Sequence, residues 1–109
     1  MSTELKRLVD GIRYWTRELE RPDGCELRAD VRMRASGGLE LRFFAVWLQD
    51  GLYRQVVSQP IPLDVTSKTQ LYRKIYLALV NLHREKSEHL LELAAAEALG
   101  DITEDDLPF

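Results

Sequence analysis

The sequence predicts an α+β fold in the order helix, three antiparallel strands, helix, with an acidic tail after the last helix. Three observations carry this expectation. Apolar residues recur at helical spacing at both ends of the body, they alternate with period two between those ends, and Gly-containing turns separate the alternating runs at hairpin distance. With 109 residues, 45% of them hydrophobic, the chain can bury a modest core without metal or disulfide staples. Residues 1–100 are therefore expected to form one domain, and residues 101–109 a flexible acidic tail outside it.

The first helix is read from Leu5, Leu8, Val9, Ile12, Trp15 and Leu19 on one stripe, with Lys6, Arg13, Arg17 and Glu20 mostly outside it. Pro22-Asp23-Gly24 should stop it by about Arg21. From Cys25 to Arg34 the chain alternates as a strand. Leu27, Ala29, Val31 and Met33 are expected on a buried face, and Glu26, Arg28, Asp30, Arg32 and Arg34 on a wet one. Ser36-Gly37-Gly38 makes a turn into a second strand, Leu39 to Leu48, rich in β-formers. Asp50-Gly51 suits a type I′ hairpin, because both residues tolerate positive φ. Leu52 to Ser58 is then the third strand, ended by Pro60 and Pro62, which lack the amide a ladder needs.

Ser67-Lys68-Thr69-Gln70 fits a capping box and opens the second helical region. Leu71, Ile75, Leu79 and Leu82 form its stripe, and Tyr72, Tyr76 and Val80 widen it. His83 to His89 is wholly polar, and Leu90 to Leu99 is apolar again before Gly100, so one long helix or two short ones both satisfy the pattern. A helix continuing past the sheet exposes Leu90, Leu91 and Leu93 and invites pairing with a second copy.

Charge is segregated along the chain. Through Arg84 there are 14 bases and 10 acids, whereas Glu85 to Phe109 holds eight acids and only Lys86. The last nine residues are Asp101-Ile102-Thr103-Glu104-Asp105-Asp106-Leu107-Pro108-Phe109. Acids followed by an aliphatic residue, Pro and a final Phe make a pattern that resembles the C-terminal tail of bacterial single-stranded-DNA-binding proteins. The resemblance covers less than a tenth of the chain, and neither the OB barrel nor the long linker of that family accompanies it. It implies a disordered tail gripped by replication, recombination and repair enzymes, with Glu104, Asp105, Asp106, Leu107, Pro108 and Phe109 as the partner-binding residues. The chemistry suits that role. Phe109 offers a ring to an apolar pocket and, as the last residue, a carboxylate to a cation at its mouth. Pro108 restricts the backbone before binding, Leu107 adds an apolar contact, and the acids steer the segment toward a basic ridge.

Single-strand binders combine cations with aromatic platforms on which bases stack. Arg28, Arg32 and Arg34 share the polar face of the first strand, Arg42 and Phe44 share a face of the second, and Tyr53 and Arg54 are candidates on the third. These seven residues form the expected nucleic-acid site. Alternatively they are a solvated face whose arginines pair with Glu26, Asp30 and Glu40. Eleven arginines against four lysines favour planar, stacking cations over mere solubility.

Other classes find no support in the sequence. It holds no Gly-rich phosphate loop, and His83 and His89, six apart on a helix, point in roughly opposite directions and are expected on the surface. No catalytic, metal or cofactor-binding constellation stands out, so the chain is not expected to be an enzyme. The lone Cys25 allows no internal disulfide and, with no apolar run long enough to span a membrane, suggests the cytoplasm. The expected function is thus a single-stranded-DNA-binding protein of a bacteriophage or mobile-element kind, outside the OB fold, that recruits host enzymes. One alternative is an adaptor or inhibitor that imitates the tail without binding DNA. Another is a double-stranded-RNA-binding module, a topological likeness in which the basic start of the last helix is reduced to Lys68, Arg73 and Lys74.

Overall fold

A computed structural model describes residues 3–21, 24–64 and 67–100, of which 97, 99 and 100 are described as backbone only. The Pro22-Asp23 part of the first turn and the whole of 101–109 lie outside the described residues. The elements are α1 (Thr3–Leu19), β1 (Cys25–Met33), β2 (Leu39–Gln49), β3 (Leu52–Val57), β4 (Ile61–Pro62) and α2 (Lys68–Gly100). The order α-β-β-β-α is the one the sequence predicts, and β4 is a short addition to it.

The sheet is antiparallel in the order β1-β2-β3, and β4 also pairs with β2. Because β1 occupies one edge of β2 from Leu39 to Trp47, β3 and β4 must share the other. They act as a single edge strand interrupted at residues 58–60. Ser58 makes the interruption possible. Its buried hydroxyl accepts a hydrogen bond from the Phe43 amide at 2.9 Å, and its own amide donates to the Phe43 carbonyl at 2.9 Å. Pro60 and Pro62 therefore do not end the strand outright. They sit on an outer edge, where a missing amide costs no ladder bond, and Ile61 returns to pair with Leu41.

The turns behave as their residues dictate. Asp50 has φ of 52° and Gly51 of 76°, the two positive values a type I′ hairpin requires. The Ser67 hydroxyl accepts from the Gln70 amide at 3.1 Å and so caps α2. That helix is one continuous rod of 33 residues, about 50 Å long at 1.5 Å per residue.

Both helices lie on one face of the sheet and run parallel to each other. Going up α1, the Glu4 carboxylate meets the Arg73 guanidinium, Gly11 meets the Tyr76 ring, Trp15 meets His83, and the Leu19 carbonyl meets Lys86. A Cβ at Gly11 would stand 2.5 Å from the Tyr76 ring, so the two helices approach there more closely than any other residue would permit. The core is Leu19, Ala45, Leu79 and Leu82, with Ile12, Trp15, Leu27, Phe43, Val56 and Ile75 packed around it. Lys86 is 3% exposed, and its ammonium donates to the carbonyls of Leu19 and Arg21 at 2.7 and 2.8 Å. The cation thereby satisfies carbonyls at the C-terminal end of α1, where the helix dipole also favours positive charge.

Candidate nucleic-acid interface

Strand register decides which side chains share a face, because directly opposed residues point the same way. Leu27 opposes Ala45, which opposes Val56, and all three pack against the helices. The helix side is thus Cys25, Leu27, Ala29, Val31 and Met33 on β1, Leu39, Leu41, Phe43, Ala45 and Trp47 on β2, and Arg54 and Val56 on β3. The other face carries no helix. Across it run four rows: Arg32, Glu40 and Pro62; Asp30 and Arg42; Arg28, Phe44 and Val57; Glu26, Val46 and Gln55. A fifth row, Leu48 and Tyr53, closes it at the hairpin.

Of the seven residues expected to form the site, this open face gathers Arg28, Arg32, Arg42, Phe44 and Tyr53. Tyr53 is 78% exposed. Arg54 is not among them. It opposes Trp47 on the helix side, on the far side of the sheet from Tyr53. Either parity was compatible with β3, where Leu52, Arg54 and Val56 alternate with Tyr53, Gln55 and Val57, and the packing of Val56 against the core chose between them. Arg34 follows β1 and is drawn to the sheet's end, where its guanidinium meets Asp64 at 3.0 Å and lies over Gly38.

The electrostatics differ from a simple cationic track. Arg28 is ion-paired with Glu26 at 3.0 Å and Arg32 with Glu40 at 3.3 Å. The Glu26 carboxylate raises the Arg28 pKa above its ordinary value, first by hydrogen bonding and then by charge. Counting Asp30 and Arg42, the open face between β1 and β2 has three acids and three bases. Arg42 is the exception in contact: among the described residues it forms no ion pair, its Nε is buried without a hydrogen-bond partner, and its guanidinium carbon lies 5.7 Å from the centre of the Phe44 ring. The apolar part of the face is continuous along β2 and β3, through Phe44, Val46, Leu48, Tyr53 and Val57. Phe44 and Tyr53 are separated by roughly four residues of strand, about 13 Å, so they would meet different bases.

The helix side departs from expectation at β1. Leu27 is half-buried, but Ala29 is exposed, Val31 is 52% exposed and Met33 75%, because the hairpin runs out beyond the helices. The histidines also differ from surface residues. Both are half-buried, His83 edge-on to Trp15 at 5.0 Å and His89 edge-on to Trp47 at 5.5 Å. Trp47 is buried, and its indole nitrogen donates to Gln49 at 3.2 Å.

Among the described residues no group of three or more His, Cys, Asp or Glu side chains is placed to hold a metal ion, and no helix is long and apolar enough to cross a membrane. Cys25 is a half-buried free thiol. A groove of about 280 Å³ lies between α2 and residues 59–62, with Lys74 its one charged lining residue. Comparison with known proteins gave no matching family model, no matching curated protein and no matching solved structure.

Proposed function

We propose that this protein binds single-stranded DNA on the open face of its sheet, and that Glu104 to Phe109 recruit enzymes of DNA replication, recombination and repair. The observation that carries the reading is Arg42, in no ion pair among the described residues and lying against Phe44 in the middle of an uncovered face, with Arg28 directly opposite that ring and Tyr53 exposed further along. Stacking supplies the affinity in this arrangement, and the arginines supply planar cations for phosphates or for base faces. The resemblance of the 101–109 segment to single-stranded-DNA-binding protein tails supports the recruiting half, and a bacteriophage or mobile-element protein acting in the cytoplasm fits both.

Fluorescence anisotropy with a dT oligonucleotide tests the DNA half. Phe44→Ala and Tyr53→Ala should each weaken binding by about 1–3 kcal/mol, the usual worth of one stacked base. The double variant Arg32→Glu/Arg42→Glu should abolish it, and Arg54→Glu, on the opposite face, should leave it unchanged. Wild-type protein that fails to bind at tens of micromolar defeats this half. The recruiting half has its own test: a peptide of residues 101–109 with a free carboxylate should bind tail-reading enzymes, and the same peptide lengthened by one alanine should bind much more weakly.

One observation favours a second reading. The ion pairs of Arg28 and Arg32 leave the open face without net charge, which suits an adaptor or inhibitor that uses the tail and an apolar sheet surface against proteins. Such a protein would show the peptide result without the anisotropy result.

A further inference from the structure

We infer that two copies of this chain pair side by side in opposite directions, the exposed end of α2 in each covering the bare helix-side face of the β1–β2 hairpin in the other. Two unpartnered apolar surfaces lie at opposite ends of one molecule. At one end Val31, Met33 and Leu39 project from the hairpin on the side where helices should cover them. At the other, α2 continues for 14 residues past Lys86, the level at which α1 stops, a projection of about 21 Å on which Leu91 is 70% exposed.

The ends are opposite because β2 tracks α2. Trp47 at the far end of β2 touches His89, whereas Leu41 at its start pairs with Ile61, which lines a groove with Lys74, Leu77 and Ala78. Leu39 is eight residues from Trp47, about 26 Å along the strand. The body spans 62 Å in its longest direction, against 35 and 26 Å in the others.

Charge selects a second copy as the occupant. The hairpin end holds the start of both helices, with Lys6, Arg7, Lys68 and Lys74 beyond the Arg73–Glu4 and Arg34–Asp64 pairs, and toward the opposite end α2 carries Glu85, Glu88 and Glu92 against Arg84 and the buried Lys86. In α2 this distribution opposes the helix dipole: no acid lies in its first turn and no base in its last. Within one molecule the arrangement is unfavourable. Between two copies running oppositely it becomes complementary, basic end to acidic end at both contacts, and a two-fold axis closes the pair. Parallel pairing of two α2 ends would instead bring acids against acids. The open face of the sheet stays free, so this inference stands apart from the DNA-binding one.

Sedimentation velocity on the full chain should give the mass of two chains at tens of micromolar. Met33→Asp and Leu91→Asp, both at exposed positions and checked for fold by circular dichroism, should each weaken the dimer at least tenfold, and high salt should weaken it as well. With Cys25→Ser as background, a short bismaleimide should join Met33→Cys protein to Leu91→Cys protein in a mixture but join neither to itself. A monomeric wild type, a Leu91→Cys self-link, a dimer indifferent to Met33→Asp, or an assembly that keeps growing with concentration would each overturn the arrangement.

Discussion

Lys86 belongs to the run His83 to His89, in which every residue is polar, yet its ammonium is buried between the carbonyl of Leu19 at the end of α1 and that of Arg21 just beyond it. Composition gives no sign of this, because the partners lie 65 and 67 residues away and are backbone atoms. The same holds for Gly11, whose lack of a side chain matters only because Tyr76 of another element fills the space. Arg42 and Phe44 are the opposite case: two apart on a strand, they share a face by the period of the strand itself, and that shared face was readable from the sequence. Lys86→Met keeps the apolar stem and removes the donor, leaving the buried Leu19 carbonyl without its partner. The expected loss is about 2 kcal/mol after allowing for relief of the lysine's own desolvation. For a domain of this size that is a fall in Tm of roughly 10 °C, measurable by differential scanning calorimetry. An unchanged Tm would mean that water replaces the ammonium at no cost.

At the scale of elements, the strands and the Asp50-Gly51 hairpin were legible because their signals are local: alternation over nine residues, and a turn pair that accepts positive φ. The single span of α2 was not, since a polar run inside an apolar helix reads equally as a break until Trp15 and Trp47 are seen to pack on its histidines. Nor was the return of Ile61 to β2. Two prolines in three residues argue for a strand end, and only the outer-edge position makes them harmless. Ser58 holds that interruption in place. Ser58→Ala should leave the Phe43 amide without its side-chain acceptor and cost about 1–2 kcal/mol in urea unfolding. Amide exchange should show the loss at the β2–β4 pairing first, with the β1–β2 ladder still protected; a uniform loss would mean that the interruption is no separate unit.

Taken whole, the molecule divides its charges twice, along the chain and across the sheet. The first division was legible as a count, with 14 bases and 10 acids through Arg84. The second was legible only in outline, as arginines paired with Glu26, Asp30 and Glu40; which meets which depends on register, since Asp30 opposes Arg42 and Arg32 opposes Glu40 only when Val31 sits opposite Leu41. This fixes how salt should act on any nucleic acid bound to the open face. Three arginines, two of them already holding carboxylates, can displace at most about three counterions from a single strand, so the slope of log K against log salt should be no steeper than about −2. Removing acid partners should strengthen binding: Glu26→Gln/Glu40→Gln frees Arg28 and Arg32 for phosphates and should steepen the slope toward that limit. A titration of dT binding from low to moderate salt measures both. A wild-type slope near −5 would exceed what this face can supply and would move the site to the basic end of the molecule, where Lys6, Arg7, Lys68, Arg73 and Lys74 gather at the starts of the two helices.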